Sequence, residues 1–515
     1  MGIVIRQSFK ASLVTYVGVA LGVANQLLVA IPFLDKAQIG LMRSLLMFSI
    51  LFASICTFGA PAIADRFFGY FRNDREKHNG FLTFLLLYGL GGFGVFILLF
   101  LLFKRLYFNL YAQESPELIT YFYHLIPFTG FTILQAVLEA YCRNNQRIAV
   151  PALLREVYLK IANVILILAY AAQWISFPTF ILFYVALYGS VAIGLLIYLR
   201  RLGKLYLVPI NRRVLTPDLV RQMTYYGSFA VLGLIGGNLC TQLDTFMLGH
   251  YLGQGDTGVF GIAVVIAGLI EIPRRAITQI SGPIIALSIR ENNWNLTRTM
   301  HQKAALNQML IGIFLFLGLW CNIDDLFGLM AKGEVYRAGK YVVLFLSLSK
   351  LIDMSAGLSS EIMSFSNYYR LSTAFVLILA LLTFAFNVWL IPIYGITGAA
   401  AATAFTILIY SSLRGTFVWW KFHLLPFSRR TLLGLGIGVV TYAVVIWVPA
   451  LGLGFWGTVL TIAVRSALIT ALYGGLVLLT HVSPDVNATV RALWGRTRNL
   501  VPFRANGVLP RRKVR

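Results

Sequence analysis

The stretch FLTFLLLYGLGGFGVFILLFLLF, residues 81–103, carries no charged side chain over its whole length. About 20 apolar residues in a helix are enough to cross the hydrocarbon core of a bilayer. Charges border the stretch on both sides, with Lys77 before it and Lys104 and Arg105 after it. The stretch therefore predicts a transmembrane helix.

The same pattern recurs along the chain, which has 515 residues, 58% of them hydrophobic and only 12% charged. This composition leaves no room for a sizeable soluble domain. We predict an all-α polytopic membrane protein with about fourteen transmembrane helices. The predicted spans are 10–33, 39–64, 81–103, 121–141, 157–173, 178–199, 225–249, 259–283, 305–320, 341–365, 371–391, 396–419, 432–448 and 455–479.

The basic residues indicate how the chain is oriented. Most of the 43 Lys and Arg residues fall in alternate connections between the spans and in the C-terminal tail. The positive-inside rule then places both termini in the cytoplasm. The net charge of +24 favours contact with anionic membrane lipids over nucleic acid, because the basic residues border the membrane. No cofactor motif, metal-binding cluster or catalytic motif is present, so we expect a protein that is not an enzyme.

A long basic connection suggests a division into two lobes. We predict an N-lobe of six spans at 1–199, a cytoplasmic linker at 200–223 and a C-lobe of six spans at 224–427. Two extra spans at 428–480 and a basic cytoplasmic tail at 481–515 follow. The openings of the halves are similar, since Gln38-Ile39-Gly40 in one corresponds to Thr257-Gly258 in the other. Six spans per half would make these parallel repeats.

Charged residues inside the spans carry the most functional information. Each costs ~2.5 to 3.5 kcal/mol at mid-bilayer, so they should face a water-filled cavity or one another. Glu271 shares a helical face with Arg274 or Arg275, and Lys350 shares one with Asp353. These groups either form ion pairs that hold helices together or line a polar lumen. In the second case Arg274, Arg275 and Lys350 would suit the phosphate oxygens of an anionic substrate.

Other charges within spans leave two interpretations open. Lys160 and Arg43 either extend to the lipid headgroups or face the lumen. Asp244 is either buried against Thr241 or Thr245, or it titrates and couples transport to an ion. Glu361, in the last turns of the tenth span, joins Asp244, Glu271 and Asp353 as a candidate cavity carboxylate. Arg465 would pack among the two extra spans.

One proline marks a bend. Pro273, in the eighth span, removes a backbone hydrogen bond and frees a carbonyl near Gly268 or Leu269. The bend would be either a hinge or a static kink.

Three segments resemble a known family, the polysaccharide transporter or Wzx-type flippase family of the multidrug/oligosaccharidyl-lipid/polysaccharide exporter superfamily. They are QLDTFMLGH at 242–250, KLIDMSAG at 350–357 followed by Glu361-Ile362, and NVWLIPIYGITGAA at 387–400. The resemblance covers about residues 1–427. It implies two six-helix lobes arranged as a V, which open alternately inward and outward around a cationic central cavity.

The resemblance also implies a substrate and a location. The substrate would be an undecaprenyl diphosphate-linked oligosaccharide, moved across a bacterial cytoplasmic (inner) membrane for O-antigen or other polysaccharide export. Arg274, Arg275, Lys350, Lys160 and Arg43 would bind its diphosphate in the cavity. Three tyrosines would contact its sugars, namely Tyr123, Tyr225 and Tyr226. Polysaccharide polymerase machinery would be a further partner.

Three alternatives remain. A multidrug and toxic-compound (MATE) antiporter would share the fold, but its bacterial members carry a carboxylate in the first span, where this chain has Asn25 and Gln26. A peptidoglycan lipid-precursor flippase would share both the fourteen spans and the basic cavity. An assembly scaffold for glycan synthesis would transport nothing.

Overall fold

The structure is a computed structural model that describes residues 2–451 and 454–488, without the side chains of 2–12, 232, 234, 235, 240 and 241. Most of the predicted basic tail lies outside the described residues. Within them the chain forms helices and connections and no β-strand. The prediction of an all-α polytopic fold is confirmed.

The first half of the chain contains seven long helical elements. They are α1 (Gly2–Ala24, continued by π-helical Asn25–Ala30 and by Ile31–Phe33), α2 (Lys36–Cys56), α3 (Ala60–Phe71), α4 (Phe81–Leu102), α5 (Leu125–Asn144), α6 (Leu159–Ala171, preceded by Ala149–Leu153 and π-helical Leu154–Tyr158) and α7 (Phe177–Arg201). Short helices at Lys104–Tyr111 and Pro116–Thr120 lie in the connection after α4.

The second half follows the connection at 202–216. Its helices are α8 (Pro217–Tyr251), α9 (Gly253–Gly268), α10 (Ile272–Arg290), α11 (Trp294–Trp320), α12 (Lys340–Ser355), α13 (Ser359–Phe365), α14 (Tyr369–Phe422), α15 (Arg429–Val445) and α16 (Gly454–Ile469, continued by π-helical Thr470–Gly474 and by Gly475–Leu479). Short helices at Ile323–Leu329 and Gly333–Tyr336 connect α11 to α12.

Local sequence explains where several helices begin. Asp35 and Gln38 form a capping box at the start of α2, and Ser428 with Thr431 forms another at α15. The Thr216 hydroxyl accepts from the Leu219 amide at the start of α8. Each cap satisfies amide groups that have no partner within the helix, so the helix starts at a defined residue.

Every predicted span coincides with helix, although the exact number of spans stays a prediction. Nine helices among the described residues are long and apolar enough to cross a bilayer, or eleven if two bent pairs each count as one span. The helices α6 and α15 are short, with 13 and 17 residues. The 54 residues of α14 are counted once, although the sequence predicts two spans there.

The chain reverses direction within α14. Gly395 has φ 59° and ψ −137°, a conformation that glycine adopts without strain. Beyond it, Gly398 lies so close to Leu390 that a β-carbon on Gly398 would overlap the Leu390 carbonyl oxygen. The rings of Phe386 and Phe405 are 6.2 Å apart, which no straight helix allows for residues 19 positions apart. The element is therefore an antiparallel pair of helices, in agreement with the predicted eleventh and twelfth spans.

The helical hydrogen-bond pattern of the eighth predicted span changes where Pro273 indicates. The helix α9 ends at Gly268, a 3-10 turn covers Leu269–Glu271, and α10 begins at Ile272. The predicted disruption near Gly268 or Leu269 is therefore a single 3-10 turn, and Gly253–Arg290 remains one continuous candidate span.

The hydrophobic core joins the two halves. One cluster combines Leu41, Leu45 and Phe48 of α2 with Phe246 of α8 and Phe260 of α9. The last two helices pack instead against α11, through a separate cluster. Arg465 of α16 donates to the Val448 carbonyl at 2.8 Å and pairs with Asp325 at 2.6 Å. It therefore ties the extra spans to the second half as well as packing among them.

Candidate substrate cavity

A cavity of about 640 Å³ lies between the two halves. Elements α1, α2, α5, α6 and α7 of the first half form most of its wall, and α9 and α10 of the second half complete it. The volume falls in the range of small-molecule binding sites. Its polar lining consists of Asn25, Gln26, Thr132, Gln135, Glu139, Arg155, Glu156, Lys160, Asn163, Tyr184, Tyr188 and Arg275.

Two π-helical turns place polar side chains on this wall. Asn25 and Gln26 lie in the turn that continues α1, and Arg155 and Glu156 lie in the turn that precedes α6. A π-turn adds one residue to the helical repeat, and such turns often occur at functional sites.

The charges on the first-half wall are paired with one another. Arg155 donates to Glu139 at 2.8 Å and to Glu156 at 3.2 Å. Lys160 donates to Glu156 at 3.0 Å and to the Gly18 carbonyl at 2.8 Å. Lys160 therefore lines the cavity, paired with Glu156. Each cation here has a carboxylate within reach.

An apolar groove of about 460 Å³ adjoins the cavity. Val19 and Val23 of α1 line both spaces, and so do Leu269 and Ile272 at the turn before α10. The other groove residues are Tyr16, Ala20, Ala24, Leu27 and Leu28. A molecule that occupied both spaces would place a polar part between the halves and an apolar part between α1 and α10.

The second-half charges pair mostly between helices, while the predicted pairing of Glu271 with Arg275, four residues apart, is also present. Lys350 of α12 contacts Glu271 at 2.7 Å, and Arg275 of α10 contacts the same carboxylate at 3.5 Å. Arg274 pairs with Asp353 of α12. The predicted pairing of Lys350 with Asp353 is therefore wrong. Residues three apart do share a helical face, but α10 packs close enough for each group to find a partner across the interface.

A fourth cation completes this network. Arg414 of α14 donates to Asp353 at 2.9 Å and is only 4% exposed. Arg414 falls within the predicted twelfth span, 396–419, but was not singled out as a charge inside a span; α14 continues to Phe422 and carries Arg414 inside the packed helices. Asp353 thus accepts from two guanidinium groups.

The predicted binding residues differ in their access to the cavity. Arg275, 63% exposed, and Lys160 line it, and Arg43 lines a smaller adjoining cavity of about 100 Å³. Arg274 and Lys350 do not line the cavity, and each is paired with a carboxylate. Glu361 of α13 has one buried carboxylate oxygen without a hydrogen-bond partner in the described structure.

Asp244 is buried at a junction of three helices. Its carboxylate accepts from Asn387 at 2.7 Å and from Thr403 at 2.7 Å, one on each arm of α14. Thr245 does not bond Asp244 but accepts from Arg43 of α2 at 3.3 Å, and the side chain of Thr241 lies outside the described residues. Asp244 is buried, as one of the two interpretations predicted, but its described hydrogen-bond partners are Asn387 and Thr403 and not Thr245.

Contacts between the halves cover the end of the cavity nearest the predicted outer face. A β-carbon on Gly40 would overlap the Gln254 carbonyl, and one on Gly258 would overlap the Lys36 carbonyl. The helices α2 and α9 therefore touch backbone to backbone. Ser44 donates to Gln254 at 2.7 Å, and Lys332 pairs with Asp35 at 3.1 Å.

Several cavity residues were missed by the sequence analysis. Arg155 was counted in a cytoplasmic connection, and Asn163 and Tyr184 were not singled out. Tyr123, Tyr225 and Tyr226, which were expected to contact sugars, do not line the cavity. Tyr123 accepts instead from Lys104. Uncharged polar residues near the middle of predicted spans were the available signal for Asn25 and Asn163.

Comparisons with known proteins support the fold. No protein-family model matches the chain. In sequence it is 22% identical over 198 residues to the probable low-salt glycan biosynthesis flippase Agl15 of Haloferax volcanii. The match covers 38% of this chain and 42% of that protein, so the chain spans about two fifths of the length of this curated relative.

Solved structures match over most of the chain. The lipid II flippase MurJ in an inward closed conformation superposes with a TM-score of 0.71 at 13% identity, covering 90% of this chain and 98% of MurJ. An inward-facing multidrug resistance MATE family transporter of the MOP superfamily superposes with a TM-score of 0.61 at 14% identity, covering 79% and 94%. The chain is a multi-pass membrane protein that shares the fold of these two solved structures, the second of which is described as a member of the MOP superfamily; this is the fold that the resemblance of its three segments implied.

Proposed function

We propose that the protein is a flippase that moves an undecaprenyl diphosphate-linked oligosaccharide from the inner to the outer leaflet of a bacterial cytoplasmic membrane. The observation that carries this proposal is the adjoining pair of spaces, a polar cavity and an apolar groove. A lipid-linked oligosaccharide has the same two parts. Its sugars and diphosphate cannot cross hydrocarbon unaided, whereas its polyprenyl tail can stay there.

Arg275 is the cation best placed to receive the diphosphate. It is 63% exposed, lines the cavity and lies only loosely against Glu271, at 3.5 Å. Lys160 and Arg155 line the same cavity from the first half. On substrate binding, phosphate oxygens would take the place of Glu156 as their partner. Binding by Arg274, Lys350 or Arg43 would require each to leave its present partner.

Transport would proceed by alternating access between two six-helix lobes. In this conformation the contacts of Gly40 and Gly258 cover the predicted outer side, so the substrate would enter from the cytoplasmic side. The lobes would then separate along α2 and α9 to release the head group outward. Both termini would lie in the cytoplasm, where a polysaccharide polymerase or the enzymes that build the glycan would be partners.

A peptidoglycan-precursor flippase is the second candidate, favoured by the superposition with MurJ over 98% of that chain. It would use the same diphosphate contacts with a different head group. A MATE-type antiporter is disfavoured because the first-helix residues that line the cavity are the uncharged Asn25 and Gln26.

Reconstituted vesicles would test the proposal. The full chain in proteoliposomes should move fluorescent undecaprenyl diphosphate-linked oligosaccharide between leaflets. It should not transport a cationic dye. Arg275→Ala should reduce the transport rate at least tenfold, since a charge-assisted hydrogen bond contributes about 1.5–3 kcal/mol. Arg337→Ala is the matched control, because Arg337 is exposed and pairs with exposed Glu334.

Two results would contradict the proposal. Vesicles that move the cationic dye but no lipid-linked glycan would indicate an antiporter. Preference for a muropeptide-bearing lipid over the oligosaccharide lipid would favour the second candidate.

A further inference from the structure

The central cavity changes in chemical character along its length. On the segment 149–171, Arg155 and Glu156 lie nearer the predicted cytoplasmic face and Asn163 lies nearer the outer face. On α5, Glu139 lies nearer the cytoplasmic face and Thr132 nearer the outer face. At 1.5 Å per helical residue, Arg155, Glu156 and Glu139 are about 10–12 Å along the helix axis from the uncharged groups, and Lys160 lies between, about one turn from Asn163.

The uncharged end is rich in amides. Asn25 and Gln26 of the first π-turn, Asn163 of α6 and Tyr184 of α7 line it together. Gln26, Asn163 and Tyr184 also border the adjoining cavity of about 100 Å³, which is much smaller than the central cavity of about 640 Å³. A ligand that enters from the charged end would therefore stop at these side chains.

Two of these amides lack a partner. The side-chain oxygens of Asn25 and Asn163 are buried and accept no hydrogen bond from the described residues. Buried polar atoms without a partner are uncommon in native proteins. Rotation of the carboxamide about its bond to Cβ would exchange its oxygen and nitrogen, so either atom of each amide can be presented to a ligand.

Amides and tyrosine together suit a particular chemistry. A carboxamide donates and accepts at once, which matches adjacent hydroxyls on a ring, and the face of a tyrosine packs against apolar C–H groups. Arg43 lines only the smaller space, where it donates to Thr245, and the side chains that border both spaces are the uncharged Gln26, Leu46, Asn163 and Tyr184. The ligand suited to this end is uncharged and rich in hydroxyls.

We propose that Asn25, Gln26, Asn163 and Tyr184 form a subsite for the first sugars of the substrate, with the diphosphate held about 10 Å away at the charged end. This inference rests on the proposed flippase function and adds the orientation of the substrate. The sugars lead toward the outer face, and the polyprenyl tail leaves the charged end through the groove between α1 and α10.

The test compares two probes on the full chain in nanodiscs. One is undecaprenyl diphosphate carrying a hexose disaccharide, and the other is undecaprenyl diphosphate without sugar. The wild-type protein should bind the first more tightly. Asn163→Leu should weaken binding of the sugar-bearing lipid about five- to tenfold, as expected for one or two lost neutral hydrogen bonds, and leave binding of the sugar-free lipid unchanged.

A second variant and a control complete the design. Gln26→Leu, on a different helix, should also weaken binding of the sugar-bearing lipid alone. This variant provides the test if Asn163→Leu does not fold. Asn144→Leu is the matched control, because the Asn144 amide nitrogen is also buried and unpaired but does not line the cavity. It should alter binding of neither probe.

The outcomes separate the subsite from the function. Equal binding of the two probes by the wild-type protein, or equal loss of both in the variants, would overturn the subsite and leave the flippase proposal standing. A wild-type protein that binds neither probe would contradict the proposed function itself.

Discussion

Replacing Asp353 with Asn should destabilise the protein more than any exposed charge change. Asp353 is 18% exposed and accepts from Arg274 and Arg414, which are 16% and 4% exposed. Asparagine keeps the shape of the side chain but removes its charge. The guanidinium groups of Arg274, which is mostly buried, and Arg414, which is buried, would then lie close together without a counter-charge.

The expected magnitude follows from the burial of the network. Removing one partner of a buried ion pair costs about 3–5 kcal/mol, which increases the unfolded fraction roughly 150- to 5,000-fold. Asp324 provides the comparison, since it pairs with Lys340 at 2.7 Å but is 56% exposed. Asp324→Asn should cost no more than about 1 kcal/mol.

Thermal unfolding in detergent, followed by tryptophan fluorescence, would measure the difference. Asp353→Asn should lower the melting temperature by several degrees more than Asp324→Asn. Adding Arg414→Met to Asp353→Asn should recover part of the loss, because it removes one of the two uncompensated cations. If Asp353→Asn has the same melting temperature as the Asp324→Asn control, the network does not stabilise the fold. The same conclusion follows if adding Arg414→Met does not raise the melting temperature of Asp353→Asn.

Three further predictions concern closure, coupling and topology. Gly40→Ala should force α2 away from α9 and increase labelling of a cysteine placed at the outer end of the cavity, whereas Gly91→Ala should not, since nothing lies within 4 Å of the added carbon. Asp244→Asn should lower the melting temperature because Asn387 and Thr403 lose the charged acceptor of their hydrogen bonds, and transport should keep its dependence on any imposed gradient; normal melting with lost gradient dependence would show ion coupling instead. Arg72→Cys should react with a membrane-impermeant thiol reagent only in inside-out vesicles, and labelling in intact cells would contradict the predicted topology.

The sequence was sufficient for the helices because their signal is local. A bilayer requires long apolar stretches, and each such stretch is readable without knowledge of its neighbours. Helix ends were less predictable, since hydropathy falls at the membrane surface while the helix continues. This explains Arg155, which was assigned to a connection but lies in a π-helical turn that extends past the apolar stretch.

The candidate site was less predictable because charge pairing depends on the packing of distant segments. Spacing along one helix suggested Lys350 with Asp353, whereas the structure pairs Lys350 with Glu271, about eighty positions away in the chain. The amides were missed for another reason. A search for charges inside spans passes over neutral groups such as Asn25 and Asn163, although burying them also costs free energy.

The pairing of the cavity charges suits a carrier that must also return empty. A cavity with bare cations would be costly to move past the lipid core after the substrate leaves. Here Glu156 holds both Arg155 and Lys160, and Glu271 lies against Arg275. If the substrate is a diphosphate, its oxygens would replace these carboxylates on loading, and the carboxylates would replace the diphosphate on release. The cations would then have an anionic partner in both the loaded and the empty protein, whereas a carboxylate displaced on loading, such as Glu156, would have to be solvated by water in the cavity.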